Sequence, residues 1–94
     1  MKTAKEILEM TIKESKLAKA CDKFIIHHAS YVEGIAMSGH RSARVDLCGI
    51  KEFGICCWNR TYTYEEVANI LAYKLHELGY KTFYHDNHTM DICW

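Results

Sequence analysis

The chain contains no proline, and its first glycine is Gly34. Residues 3–38 therefore run without a strong backbone breaker, since proline removes an amide donor and clashes with the preceding turn of a helix. Thr3 and Glu6 stand at capping-box spacing, a hydroxyl for a free helix N–H and a carboxylate reaching back. Ala4, Leu8, Ile12, Ser15, Ala18, Ile25, Ala29, Val32 and Ala36 then recur at three- and four-residue steps. Ile7, Phe24 and Ile35 widen this stripe, and Asp22 interrupts it once. The period is helical. Gly34 costs such a helix about 1 kcal/mol relative to alanine, and Gly39 stands where a left-handed residue closes one. The pattern predicts one long helix over 3–38, or two collinear helices broken near 21–23. An unbroken helix of that size runs about 52 Å, against a radius of gyration of about 12–13 Å for a compact chain of this length. One small domain cannot cover it, so a homodimer or higher oligomer through the N-terminal helix is expected, with Leu8 and Ile12 the positions to test.

Beyond Gly39 the period changes. Residues 42–48 alternate, with Ala43, Val45 and Leu47 on one face and Ser42, Arg44, Asp46 and Cys48 on the other, which predicts a half-buried strand ended by Gly49. Residues 53–58 suggest a second short strand, with Gly54 marking a bulge or a close backbone approach. Thr63 and Glu66 repeat the capping box ahead of Val67, Ile70, Leu71, Lys74, Leu75 and Leu78, and Gly79 closes that helix. Residues 80–85 and 89–94 read as two strands around the turn residues Asp86, Asn87 and His88. Met90, Ile92 and Trp94 share the core face. The expected fold is α+β over one domain, residues 1–94. Two helices, one spanning 1–39 with its cap, cover one face of a mainly antiparallel sheet of 3–4 strands, in the order helix, strand, strand, helix, strand, strand.

The composition narrows function by exclusion. Twelve basic and twelve acidic residues cancel, which argues against an extended nucleic-acid partner. No apolar run approaches the roughly 18–20 residues of a membrane span, and no signal peptide is visible at the start. The five cysteines are odd in number, and none forms a C-x2-C pair. They read as reduced thiols of a cytoplasmic protein.

The run Ile35-Ala36-Met37-Ser38-Gly39-His40-Arg41-Ser42-Ala43-Arg44-Val45, together with Leu75-His76-Glu77-Leu78-Gly79-Tyr80-Lys81 and the terminal Ile92-Cys93-Trp94, resembles small phage and prophage proteins. In that class a long first helix ends at glycine, a short basic strand follows, and the chain closes with helix, Leu-Gly-Tyr, hairpin and Ile-x-Trp. The resemblance implies a phage-encoded accessory protein acting in the host cytoplasm, of a kind that binds and inhibits host or defence machinery. It brings no catalytic residues with it.

Chemistry-bearing residues are scattered. His27 and His28 are adjacent on a helix, where neighbours diverge by about 100°, so one wet and one partly buried imidazole is expected. His85 and His88, with Asp91 and Cys93 following, are the best metal-type cluster, because zinc accepts nitrogen, carboxylate and thiolate. Too few of these ligands have local spacing, so a structural turn and no required metal or cofactor is the expectation. His40, Arg41, Arg44 and Arg60 near Trp58 form a basic-aromatic group suited to a nucleotide base or phosphate, or a solvated loop with Arg44 paired to Asp46. Candidate binding residues are thus Arg41, Arg44, Trp58, Arg60 and His85. No phosphate loop and no nucleophile motif is present, so a non-enzymatic protein is expected. It binds a host protein, assembles with itself as a structural oligomer, or holds a small ligand such as a nucleotide.

Overall fold

A computed structural model of the protein describes residues 1–55, 62–85 and 88–94. Both predicted caps form. The Thr3 hydroxyl accepts from the Glu6 N–H at 3.2 Å and opens α1 (Ala4–Lys13); Thr63 accepts from the Glu66 N–H at 3.1 Å and opens α3 (Tyr64–Glu77). Gly39 and Gly79, each with φ 92°, close α2 (Lys16–Met37) and α3 in the left-handed conformation expected of them.

The long helical segment is two helices, and the break is not near 21–23, where Cys21 is fully buried inside α2. It falls at Glu14 and Ser15. Ser15 adopts extended backbone (φ −67°, ψ 158°), and its hydroxyl oxygen accepts from the Ala18 N–H at 3.0 Å. The N–H groups of Glu14 and Ser15 both return to the Met10 carbonyl, at 2.8 and 3.1 Å, which ends α1. A serine that continues an apolar stripe is also a preferred N-cap, and here the cap prevails.

The strand β1 (Ser42–Asp46) buries Ala43 and Val45 and exposes Ser42, Arg44 and Asp46, as its alternation predicts. It ends earlier than expected. Asp46 accepts from the Cys48 N–H at 2.9 Å and starts a 3₁₀ helix, Leu47–Phe53, which runs through Gly49. That helix and the left-handed Gly54 after it replace the expected strand over 53–58 in its described part; residues 56–58 lie outside the described residues. The cause is visible in the spacing. Leu47, Ile50 and Phe53 are three apart, and at three residues per turn they stack on one side, with Leu47 and Ile50 buried and Phe53 half-buried.

The fold is therefore α+β, with a 3₁₀ helix at the place of the second expected strand. Among the described residues the sheet has three strands in the order β1–β3–β2, all antiparallel, where β2 is Lys81–His85 and β3 is Thr89–Cys93. The register sets Val45 opposite Met90 and Met90 opposite Tyr84 on the inner face. On the outer face it sets Arg44 opposite Asp91 and Asp91 opposite Phe83. The core lies under the inner face, where Leu17, Cys21 and Phe24 of α2 meet Val67, Leu71 and Leu75 of α3 together with Val45, Met90 and Ile92. Trp94 is half-buried and lies just past β3, its N–H bonded to the Arg41 carbonyl at 3.1 Å. The outer sheet face, carrying the exposed Phe83, is open, and none of the ten residues of α1, all described, is buried. The molecule measures 49 × 28 × 21 Å. No helix among the described residues is long and apolar enough to cross a membrane.

Candidate functional site

Antiparallel pairing of β1 with β3 brings the end of β1 beside the hairpin turn before β3. The Leu47 N–H donates to the His88 carbonyl at 2.8 Å, one step beyond the ladder. Leu47 itself is fully buried and anchors the start of the 3₁₀ helix, so Asp46 and Cys48 on either side of it project toward the turn. His88 holds a left-handed backbone (φ 62°), uncommon outside glycine, though histidine, like asparagine, is among the residues enriched there. Its Nδ1 lies 3.1 Å from Asp46 Oδ1 and 3.3 Å from Cys48 Sγ. Tyr64, the first residue of α3, places its hydroxyl 3.2 Å from the same sulfur. Asp46 also accepts the Cys48 backbone N–H, and this bond is the main reason its carboxyl sits below the ordinary 3.8, with His88 adding to the effect.

Carboxylate, thiol and imidazole thus converge, all donor atoms lying within 4.8 Å of one another. The geometry differs from a nucleophile–base–acid relay. In such a triad the carboxylate holds one ring nitrogen and the nucleophile meets the other. Here Asp46 and Cys48 address the same nitrogen.

A second polar group crosses the outer sheet face. Arg44 Nε donates to Asp91 Oδ1 at 2.9 Å, and His85 Nε2 meets Asp91 Oδ2 at 2.9 Å. The Arg44 and His85 hydrogen bonds hold the Asp91 carboxyl down at about 2, and Asp91 in turn raises the Arg44 guanidinium. This corrects the expected Arg44–Asp46 pair. Asp91 is directly across the strand from Arg44, whereas Asp46 lies two residues along the same strand and is engaged by Cys48 and His88.

The remaining candidates are dispersed. His85 and His88 do not meet across the hairpin tip, since His85 turns to Asp91 and His88 to Asp46 and Cys48. Cys93 pairs with Ser42 at the other end of β3, so the His85, His88 and Cys93 cluster does not form. His40 and Arg41 are exposed, Arg44 is already held by Asp91, and Trp58 and Arg60 lie outside the described residues. His27 is exposed and His28 half-buried, as expected; His28 stacks on Phe24 with ring centres 4.1 Å apart, and its Nδ1–H donates to the Phe24 carbonyl at 2.9 Å. Among the described cysteines, Cys21, Cys48 and Cys93 are not joined in disulfides, while Cys56 and Cys57 lie outside the described residues. Cys48 and Tyr64 escape sequence reasoning as site residues. The alternation places Asp46 and Cys48 on one polar face, but only the β1–β3 register brings His88 to them.

The open apolar surface lies elsewhere. Leu8 and Ile12 of α1 face Tyr62, Ile70 and Tyr73 across a groove of about 650 Å³ floored by Leu17. Ile7 and Leu8 remain 48% and 45% exposed. Comparison with known proteins returns no matching family model, no matching curated protein and no matching solved structure.

Proposed function

We propose that this chain is a non-enzymatic binding protein, an accessory protein of the small phage type that acts in the host cytoplasm and modulates a host or defence protein by docking it in the α1–α3 groove. The observation that carries this reading is α1. A ten-residue helix is shorter than the roughly 12–15 residues at which helices become marginal in water. This one is capped at its start and amphipathic, yet it contributes no buried residue to the core. Its apolar side chains line an open groove whose other wall is α3. Apolar surface held at a groove in this way gains about 25 cal/mol per Å² when a partner covers it. An amphipathic helix of the partner, laid between α1 and α3, suits the shape.

The test is affinity capture of host proteins with the wild-type chain, with Leu8→Glu and with Tyr73→Glu. Both positions are exposed, so the charge leaves the buried core untouched, and circular dichroism separates a loss of α1 helix from a loss of the contact. The expected result is one partner retained by the wild type and lost by both variants. A partner retained equally by all three chains moves the contact away from the groove.

A further inference from the structure

We propose that Asp46, Cys48 and His88 form a binding site for a divalent cation of the zinc class, coordinated by Asp46 Oδ1, Cys48 Sγ and His88 Nδ1, with a fourth position for water or an added ligand. The spacing fits the ion. Zinc binds nitrogen and oxygen at about 2.0–2.2 Å and sulfur at about 2.3 Å, so ligands on a tetrahedron stand about 3.3–3.7 Å apart. The nitrogen here is 3.1 Å from the oxygen and 3.3 Å from the sulfur, a few tenths of an ångström from that size. Both approach the single Nδ1 of His88, as two ligands beside a third do around one ion.

The donor set selects the metal. Magnesium and calcium take oxygen ligands, whereas one thiolate, one imidazole and one carboxylate suit a borderline ion. Supporting contacts are in place. The Cys48 N–H fixes the Asp46 carboxylate at 2.9 Å, and the Tyr64 hydroxyl stands 3.2 Å from Cys48 Sγ, where it can donate to a thiolate. The Asp46 and His88 side chains are 60% and 44% exposed, so an ion reaches the site without unfolding. On binding, the Cys48 thiol proton leaves to solvent, and His88 coordinates as its Nε2–H tautomer.

The site also explains why no local spacing motif is visible. Its ligands come from the end of β1, the first turn of the 3₁₀ helix and a hairpin turn 40 residues beyond Cys48.

The experiment titrates cobalt(II), then zinc(II), into the full reduced chain free of chelator. One equivalent of cobalt is expected to produce a thiolate charge-transfer band and the strong visible bands of a four-coordinate ion, and zinc is expected to displace it. His88→Asn removes the nitrogen donor but keeps a residue that accepts the left-handed backbone, so the turn survives. It should weaken binding at least about 100-fold, beyond the usual effect of losing an outer contact. Cys48→Ser should abolish the charge-transfer band, while His85→Asn and Cys93→Ser, outside the cluster, should leave the titration unchanged. Absence of one-equivalent binding overturns the proposal. So do bands that survive in both Cys48→Ser and His88→Asn, or that disappear only in the His85 or Cys93 variant.

Discussion

Asp91 sits between two basic groups on the outer sheet face, and its behaviour with pH follows from that position. Its carboxyl is held at about 2 in the folded chain, against an ordinary 3.8. A carboxyl with a depressed folded value favours the fold when charged, so the contribution is complete above about pH 4 and is lost as pH falls through about 2. Arg44 is largely exposed, and solvent screens the pair, so the effect is small. Asp91→Asn is expected to be modestly less stable than the wild type at neutral pH and to converge with it near pH 2. Denaturant unfolding at a series of pH values measures this, and parallel curves across the whole range would show that Asp91 carries no linked proton. The partner of Arg44 was beyond reach of the sequence because register decides it. Asp46 is the nearer acid along the strand, but Asp91 is opposite in the ladder. Thr3, Thr63, Gly39 and Gly79 were legible because a cap answers to its own few residues. The Asp46, Cys48 and His88 cluster was not, because it depends on the same long-range register.

At the scale of elements, Ser15 decides where one helix becomes two. Its hydroxyl oxygen accepts the Ala18 N–H and its own proton goes to the Thr11 carbonyl at 2.6 Å, so a single side chain bridges the end of α1 and the start of α2. Ser15→Ala is expected to cost about 1 kcal/mol, the usual value of a lost N-cap. Ser15→Asp, which also caps, should recover most of that. Equilibrium unfolding of the three chains tests this; an alanine variant as stable as the wild type, with greater helix content, would show that α1 and α2 fuse when the cap is removed. The helical period alone reveals helix but not this break, since serine fits both an apolar stripe and a cap. The same ambiguity hid the 3₁₀ helix. Leu47 completes the alternation of β1 and also begins the three-residue spacing to Ile50 and Phe53, and a local window cannot rank those readings. Residues 64–77 were legible throughout, because cap, period and closing glycine agree there.

At the scale of the whole molecule, the apolar side chains that α1 leaves exposed make a second copy one occupant of the groove. Lys5, Glu9 and Lys13 follow at four-residue steps along one flank of Leu8 and Ile12. An antiparallel copy would lay Leu8 and Ile12 against their counterparts, and a two-fold axis makes both halves equivalent. The break at Ser15 shortens the helical reach from the expected 52 Å without removing this need, because α1 turns toward α3 and still leaves its face uncovered. The association we expect of the chain alone is therefore a homodimer through α1, which a host protein docking in the same groove would displace. Light scattering at micromolar concentration should give about twice the 10.9 kDa chain mass. Because α1 is too short to be stable alone, its helicity should be linked to assembly. Helix content should then fall on dilution together with mass, and the pair Leu8→Glu and Ile12→Glu should reproduce the diluted state at any concentration. A monomer whose helix content does not change with dilution would defeat the dimer. It would also mean that contacts within the chain suffice to hold α1, leaving the groove preformed for a different protein.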